Sequence, residues 1–290
     1  MEVGRLLTRA DPTREGAIGV MQPLLEDLEA ELGGDSVELV PVLMVLGKAE
    51  SNPVDGTRQE VRYRRALRIA ENALENEPLA LAQLQLEAGR DLLYLSRTAS
   101  GESYLRRALA TFEQDLGPEH ELTATAQMAL GELRYAQSNF STAESLLLDS
   151  LAFFAAKPQF RAAEQRIRTL LVDGYEQDGD SDKATEHVLA LGRLVQFADN
   201  QALVPIFTVE AEYPERDAAA RRQGRVVVGF TVDREGRTQN HFIVSSDLNE
   251  SMQQAAIDAI RRYRYAPRIV NGNPVEVPNV SASIVFSIVN

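Results

Sequence analysis

The chain has 290 residues, of which 44% are hydrophobic, and this length is typical of about two globular domains with ordinary cores. It has no cysteine, which excludes disulfide bonds, thiolate metal sites and cysteine nucleophiles, and no apolar run approaches the ~18 residues of a membrane-spanning helix. The formal net charge is −13 at pH 7, which argues against nonspecific binding to nucleic acid or anionic lipid, because both require a positive surface.

The negative charge is concentrated in the first two thirds of the chain. From Pro205 onward there are ten arginines, no lysine and ten acidic residues, so this part has no net charge. The acidic surface upstream either aids solubility as a solvated face or contacts a basic partner. The uneven distribution of charge indicates that the chain has two parts, an acidic one before Pro205 and one without net charge after it.

The sequence before about residue 198 repeats itself at an offset of 42 residues. Small residues recur at one place in each repeat, in the pairs Leu46-Gly47, Ala88-Gly89 and Leu130-Gly131. Large residues recur further along, at Tyr63, Leu105 and Leu147. A repeat of this length with two amphipathic patterns per unit predicts an array of helical hairpins.

The repeat resembles the tetratricopeptide family, in the variety where Leu116-Gly117-Pro118-Glu119-His120 would link successive units. Ser138 departs from the pattern, because the family usually has a turn glycine at that place. The resemblance implies about four hairpins, with residues near 14–32 forming a degenerate capping pair or a half repeat. It also implies a concave face lined by first-helix residues, which are Met44, Lys48, Leu86, Arg90, Met128, Glu132, Tyr135 and Asp173.

The sequence offers little that could perform catalysis. The three histidines, His120, His187 and His241, belong to no metal-binding or catalytic pair. The acidic stretch at 178–182 has the composition of a calcium loop but lacks the glutamate at its twelfth position, and it falls in the turn of a repeat. We therefore expect no enzymatic activity, no cofactor and no metal site.

The last 85 or so residues predict a small α+β domain. Alternating apolar residues from Val226 to Val232 indicate a strand, turn residues follow at 233–236, and a second strand ends near Ser245. An apolar stripe then begins at Met252 and indicates a helix that Pro267 stops. A final alternating run near residues 279–289 completes an antiparallel three-stranded sheet covered by one main helix.

The arginine- and tyrosine-rich run at 261–267 has two interpretations. It is either a basic and aromatic contact surface or a structural element. In the structural interpretation, which we favour, Tyr263 and Tyr265 pack on the sheet while the arginine side chains cover apolar surface and keep their guanidinium groups in solvent.

These elements together resemble the TonB C-terminal domain over about residues 205–290. The family pattern begins with Tyr-Pro, here Tyr213-Pro214, and continues with a glycine-led strand and its turn, here at 224–236. Two serines, an alanine-rich helix, the arginine-tyrosine run and an Asn-Gly-x-Pro-Val block follow in the family's order, the last of them at 271–275. No single block is specific, but their combination is.

The resemblance implies that partners bind by strand addition. In the TonB family the last strand offers a free backbone edge to a short extended segment at the plug of an outer-membrane transporter. The residues expected at this edge are Val280, Ser281, Ser283, Val285 and Ser287. An unpaired edge of this kind is also able to join two copies of the chain into a homodimer.

The chain departs from TonB transducers where force would be transmitted. Those proteins have an N-terminal membrane helix and a long proline-rich spacer, whereas residues 1–198 are predicted to form the repeat domain, joined through a short linker at 199–204 to the domain at 205–290. No charged-then-apolar leader precedes the first repeat. We expect a non-enzymatic periplasmic protein that recruits one protein with the array and another, such as an outer-membrane transporter, with the C-terminal domain. The alternative is a tetratricopeptide assembly scaffold whose C-terminal domain only caps the array or dimerises.

Overall fold

A computed structural model of the chain describes residues 14–50, 57–93, 98–155, 157–194 and 203–287. The chain divides into two compact units, Met1–Phe153 and Phe154–Asn290. The first unit is helical, and the second contains two long helices followed by a small sheet domain. Within the described ranges, no helix is both long and apolar enough to cross a bilayer.

The first unit is built of helices. They are α1 (Arg14–Leu32), α2 (Leu39–Ala49), α3 (Thr57–Ala73), α4 (Pro78–Leu93), α5 (Thr98–Asp115), α6 (Glu121–Ala136) and α7, whose range Phe140–Phe154 reaches the start of the second unit. From α1 to α6 each helix packs against its neighbour in the chain, most extensively α2 against α3 and α4 against α5, and Gly131 of α6 lies against Leu147 of α7. The predicted array of helical hairpins is confirmed.

The 42-residue repeat has a direct structural cause in a glycine that lets two helices approach closely. In each hairpin the repeated glycine of the first helix lies against the repeated large residue of the second. A Cβ atom added to the glycine would lie 2.7 Å from the Tyr63 ring at Gly47, 2.7 Å from Leu105 at Gly89 and 2.9 Å from Leu147 at Gly131. Interiors are packed too densely to accept such an atom without movement. The glycine of the first helix and the large residue of the second therefore recur together in each repeat.

The second unit begins with a helical hairpin and continues into the sheet domain. Its helices are α8 (Arg161–Asp178), preceded by a 3-10 turn at Pro158–Phe160, α9 (Ser181–Leu194), α10 (Glu215–Ala219) and α11 (Glu250–Arg261). Its strands are β1 (Pro205–Phe207), β2 (Gly224–Val232), β3 (Thr238–Ser246), β4 (Arg264–Tyr265), β5 (Arg268–Val270), β6 (Asn273–Val275) and β7 (Val277–Phe286). The acidic stretch at 178–182 lies at the turn between α8 and α9, as predicted.

The sheet domain is built around an antiparallel sheet of three strands in the order β3-β2-β7. One face of the central strand is buried through Val226, Val228 and Phe230, and it packs against the apolar stripe of α11, which includes Met252 and Ile260. Two smaller antiparallel pairs, β1 with β4 and β5 with β6, complete the domain. The predicted α+β layer with a three-stranded sheet and one main helix is therefore confirmed.

The helix before the arginine-tyrosine run is shorter than its sequence suggests. It ends at Arg261 rather than running to Pro267, and Arg264 and Tyr265 form strand β4, paired with β1. The backbone N–H of Tyr265 donates to the carbonyl oxygen of Gly236 at 2.9 Å. Hydrogen bonds to other parts of the domain thus replace those that a continued helix would make within itself.

Candidate functional site

Strand β7 forms one edge of the three-stranded sheet. Its inner side pairs with β2 in continuous register from Gly224, opposite Phe286, to Phe230, opposite Val280. Within the described part of the chain, no strand lies along its outer side. The last strand of the domain is therefore an open edge of ten residues.

The register shows which backbone groups of β7 point outward. At the start of β2, the N–H of Arg225 donates to the Asp247 side chain at 2.7 Å and its carbonyl accepts from the N–H of Asp247 at 3.4 Å, so the backbone groups of Arg225 face the β3 side. Because these groups alternate in direction along an antiparallel strand, the groups of Val226 and Val228 face β7. Their partners on β7 are Ile284 and Ala282. The N–H and C=O groups of the intervening residues, which are Ser281, Ser283 and Val285, consequently face away from the sheet.

The five predicted edge residues fall into three groups by their location in the structure. Ser281, Ser283 and Val285 have exposed side chains and outward backbone groups, and Val285 is 60% exposed. Val280 pairs with Phe230, and its half-buried side chain packs on the core. Ser287 is exposed and lies one residue beyond the end of the strand.

The outer face of the sheet has an apolar surface that the sequence reasoning missed. On β3, the side chains of Phe242 and Val244 are 50% and 55% exposed, and the Phe242 ring lies over Gly229 of the central strand. The alternating pattern of β3 indicates two faces, but it does not tell which of the two the helix covers.

The structure brings three of the predicted concave-face residues together in the first unit. Lys48, Leu86 and Arg90 line a cavity of about 400 Å³. The remaining lining residues are Gln83, Glu87, Asp91 and Leu122. Of these, Asp91 accepts a hydrogen bond from the Tyr63 hydroxyl at 2.6 Å. Among the described residues, neither Lys48 nor Arg90 has an ion-pair partner, whereas Arg62, for example, is paired with Glu50.

The other predicted concave-face residues lie apart from this cavity. Met44 is buried in the core of the first unit. Met128, Glu132 and Tyr135 are half-buried on α6, where the Tyr135 ring meets Phe140 edge-on at 6.4 Å. Asp173 belongs to the second unit, where burial raises its pKa and its carboxylate accepts a hydrogen bond from Gln177 at 2.9 Å.

Comparison with known proteins finds a family match within each part of the chain. Residues 209–288 match the family model of the Gram-negative bacterial TonB protein C-terminal domain, and residues 80–156 match that of the tetratricopeptide repeat. The chain joins tetratricopeptide repeats to a TonB C-terminal domain. Both resemblances stated from the sequence are confirmed.

Three known proteins illustrate the likeness. Protein TonB of Haemophilus ducreyi is 29% identical over 118 residues, which cover 41% of this chain and only 37% of that relative. The solution structure of the Pseudomonas aeruginosa TonB C-terminal domain is 23% identical and covers 31% of this chain and 90% of that one, with a TM-score of 0.27. The crystal structure of BtubC from P. vanneervenii has a similar fold over 66% of this chain and 77% of its own, with a TM-score of 0.51 and 19% identity.

The TonB C-terminal domain packs directly on the hairpin formed by α8 and α9. Arg264 of β4 is only 3% exposed, which contradicts the prediction that this guanidinium stays in solvent. Its Nε lies 2.9 Å from Oε1 of Glu176 on α8, and its Nη2 donates to Oγ1 of Thr185 on α9 at 2.5 Å. Burial lowers the pKa of Arg264. The buried charge has an opposite charge beside it, as buried ions require.

Close backbone contacts support the same packing. A Cβ atom at Gly192 of α9 would lie 2.7 Å from the carbonyl oxygen of Pro267, and Val188 of α9 lies beside Gly236. The last hairpin and the TonB C-terminal domain thus form one compact unit. The predicted linker at 199–204 falls mostly outside the described residues, and the domain boundary there stays a prediction.

The hairpin also contains a buried histidine that couples stability to pH. His187 stacks on the Tyr175 ring with 5.7 Å between ring centroids, and its Nδ1 lies 3.2 Å from Nη1 of Arg168. Burial and the positive charge of Arg168 lower the pKa of His187 from 6.5 to about 4. The folded protein therefore holds this histidine neutral at pH values where the unfolded chain protonates it.

We expect the free energy of unfolding to fall by about 2–3 kcal/mol through His187 alone as the pH drops from 6.5 to 4, because the unfolded state binds the proton at a higher pH than the folded state does. The measurement is urea unfolding across this pH range for the wild type and for His187→Phe, which keeps an aromatic ring on Tyr175. The stability of the wild type relative to that of His187→Phe should fall toward pH 4, where the variant should approach or exceed the wild type. Parallel stability curves would contradict the prediction.

Proposed function

We propose that this chain is a non-enzymatic protein-interaction protein of the bacterial periplasm, whose β7 edge binds an extended segment of a partner by strand addition. The observation that carries the proposal is the row of outward backbone groups at Ser281, Ser283 and Val285 on an edge with no neighbouring strand among the described residues. Such a row is able to pair with many sequences, because main-chain hydrogen bonds do not depend on side chains.

The two faces beside the edge specify the kind of segment that fits. On the helix side, the half-buried apolar residues Val280, Ala282 and Ile284 would lie next to an added strand. On the opposite side the neighbours are Ser281 and Ser283, which are small and polar. An added strand therefore places apolar side chains at every second position, on the side of α11, and small or polar ones between them. A plug segment of an outer-membrane transporter is the partner that the TonB family suggests.

The tetratricopeptide array supplies a second place of contact in this proposal. Tetratricopeptide repeats and TonB C-terminal domains are protein-interaction modules, and this chain has both. In the array, Lys48 and Arg90 face one cavity that also presents Leu86 and Leu122. The same cavity is lined by the carboxylates Glu87 and Asp91, so it fits a partner segment that combines charged side chains of both signs with an apolar side chain.

The contact between Arg264 and the last hairpin favours a second candidate function. Arg264 of the TonB C-terminal domain contacts both α8 and α9, the last hairpin before the domain, and a domain that caps the array would make contacts of this kind. In that candidate the chain is an assembly scaffold, and the domain serves only as a cap. The two candidate functions differ in what they require of β7. Strand addition requires its open edge to bind a partner strand, whereas capping does not.

We expect Ser283→Pro to abolish strand addition while leaving the fold intact. Proline has no N–H to donate and is tolerated at a sheet edge, and the N–H of Ser283 is outside the β2 ladder. The test titrates the full chain with synthetic extended peptides that include plug segments of outer-membrane transporters. It follows the hydrogen exchange of the Ser281, Ser283 and Val285 amides, and native mass spectrometry reports any homodimer.

Two control variants separate the backbone from the side chain and from the fold. Ser283→Ala removes the hydroxyl but keeps the N–H, so it should bind like the wild type. Ala282→Pro removes an N–H that faces β2, so it should destabilise the sheet instead. If the three outward amides exchange at the same rate with and without every peptide, and Ser283→Pro changes neither binding nor mass, the strand-addition proposal is wrong and the capping function remains.

A further inference from the structure

The TonB C-terminal domain contains a groove that the strand-addition proposal does not use. It lies between the segment at 208–214, which follows β1, and one face of α11, and it has a volume of about 630 Å³. Its apolar surface comes from Val209, Tyr213, Pro214 and the small residues Ala255 and Ala259 of the helix. The lining residues of α11 recur every three or four positions from 251 to 262, so the groove follows the helix for most of its length.

The rim of this groove is strongly acidic. Glu210, Glu212 and Glu215 line it with exposed carboxylates, and within the described residues none of the three has an ion-pair partner. Elsewhere in the described part of the domain, three acidic residues have an arginine partner: Asp217 pairs with Arg222, Glu235 with Arg237, and Asp258 with Arg261. In a domain whose charges balance, three unpaired carboxylates beside one apolar groove form a local excess of negative charge.

The wall of the groove formed by residues 208–214 also has free backbone groups. In the described structure, the N–H and C=O groups from residue 208 to residue 212 make no hydrogen bond to any other group. The segment belongs to neither a helix nor a strand. Its backbone is therefore available to an extended chain that lies along α11, independently of the β7 edge.

The one cation in the groove is Arg262, at the end of α11, and no ion pair is found for it among the described residues. It lies on the same helix face as Asp258, which is already paired with Arg261. The carboxylates do not converge on a point, since the part of the chain that the structure describes has no group of three or more ligands suited to a metal ion. An elongated, negatively rimmed apolar groove is suited to a chain with separated positive charges rather than to one ion.

We propose that this groove binds an extended cationic peptide segment in which lysine or arginine residues alternate with apolar residues. The apolar side chains would cover Ala255 and Ala259 of α11, and the cations would pair with Glu210, Glu212 and Glu215 along the rim. This site goes beyond the proposed function, because it needs neither the β7 edge nor the tetratricopeptide array.

The test measures fluorescence anisotropy of the full chain with a labelled, acetylated and amidated Lys-Leu-Lys-Leu-Lys peptide at low ionic strength. The triple variant Glu210→Gln, Glu212→Gln, Glu215→Gln should bind it about tenfold more weakly, from the loss of three exposed charge pairs. A matched control changes three exposed glutamates of the helical part by the same charge, in Glu75→Gln, Glu113→Gln, Glu119→Gln, and should bind as the wild type does. Arg262→Gln should tighten binding severalfold, because it removes the only positive charge of the groove.

Two further peptides and one further variant complete the test. Glu-Leu-Glu-Leu-Glu should not bind, and Lys-Ser-Lys-Ser-Lys should bind more weakly than the leucine peptide because the apolar contact is lost. Ser283→Pro should leave binding of the leucine peptide unchanged. The experiment therefore distinguishes a failure of the strand-addition proposal from a failure of the groove proposal. Equal affinities of the rim variant and the control variant, or an Arg262→Gln variant that binds no more tightly than the wild type, would overturn the proposal.

Discussion

Arg264→Met is expected to lower the free energy of unfolding of the second unit by about 3–5 kcal/mol, because it leaves a buried carboxylate without its counter-charge. Oε1 of Glu176 lies 2.9 Å from the Arg264 Nε, and Oε2 of Glu176 accepts a hydrogen bond from the Ser181 hydroxyl at 2.8 Å. Removing the arginine abolishes the first of these interactions and also the hydrogen bond to Thr185. Urea unfolding of the full chain, followed by hydrogen exchange in the second unit, measures the loss.

A double variant separates the value of the ion pair from the cost of breaking it. Arg264→Met with Glu176→Leu replaces both charges by apolar side chains, and buried pairs replaced in this way often recover most of the lost stability. We expect the double variant to be at least about 2 kcal/mol more stable than Arg264→Met alone. If the double variant is as unstable as the single one, packing rather than the unpaired carboxylate explains the loss.

Gly236→Ala is expected to destabilise the same unit by about 3 kcal/mol. Gly236 has a φ of +79°, in the left-handed region that residues with a Cβ avoid. A Cβ atom there would also lie 2.1 Å from the carbonyl oxygen of Tyr265, and neither backbone is free to move because the Gly236 carbonyl accepts the Tyr265 N–H. The variant therefore combines backbone strain with a collision.

Gly272 provides a matched control for this substitution. It has a nearly identical φ of +81°, in the Asn271-Gly272 turn between β5 and β6, but no atom lies within 4 Å of the position of an added Cβ. Gly272→Ala should therefore cost only the strain, about 1 kcal/mol. Denaturant unfolding of the two variants side by side isolates the collision, and equal losses would show that Gly236 is not held against β4.

The sequence predicts most strongly those features that repeat at short range. The 42-residue period located the hairpins because Gly47 and Tyr63, and their counterparts one and two repeats later, touch within each hairpin. Alternation along β2 gave the buried face of the sheet for the same reason. Both patterns come from neighbours that the secondary structure itself brings together, so they are visible without knowing the tertiary packing.

The features that the sequence did not show depend on distant partners. Arg264 resembles the exposed Arg261 and Arg262 in its local sequence, and only Glu176 and Thr185, almost 80 or more residues earlier, make its burial tolerable. The outward direction of Ser283 depends on the register of β7 with β2 and on the side of β2 that Asp247 occupies. The exposure of Phe242 likewise depends on which face α11 covers, and no local pattern determines it.

The position of β7 beside the central strand has a mechanical consequence. A tension applied along β7 acts parallel to the strands, and the hydrogen bonds of the β2–β7 ladder run perpendicular to them. All bonds of the ladder from Gly224 to Phe230 would then share the load in shear, instead of opening one after another from an end. A domain anchored in this way resists extension through its last strand far better than it would resist peeling of that strand away from the sheet.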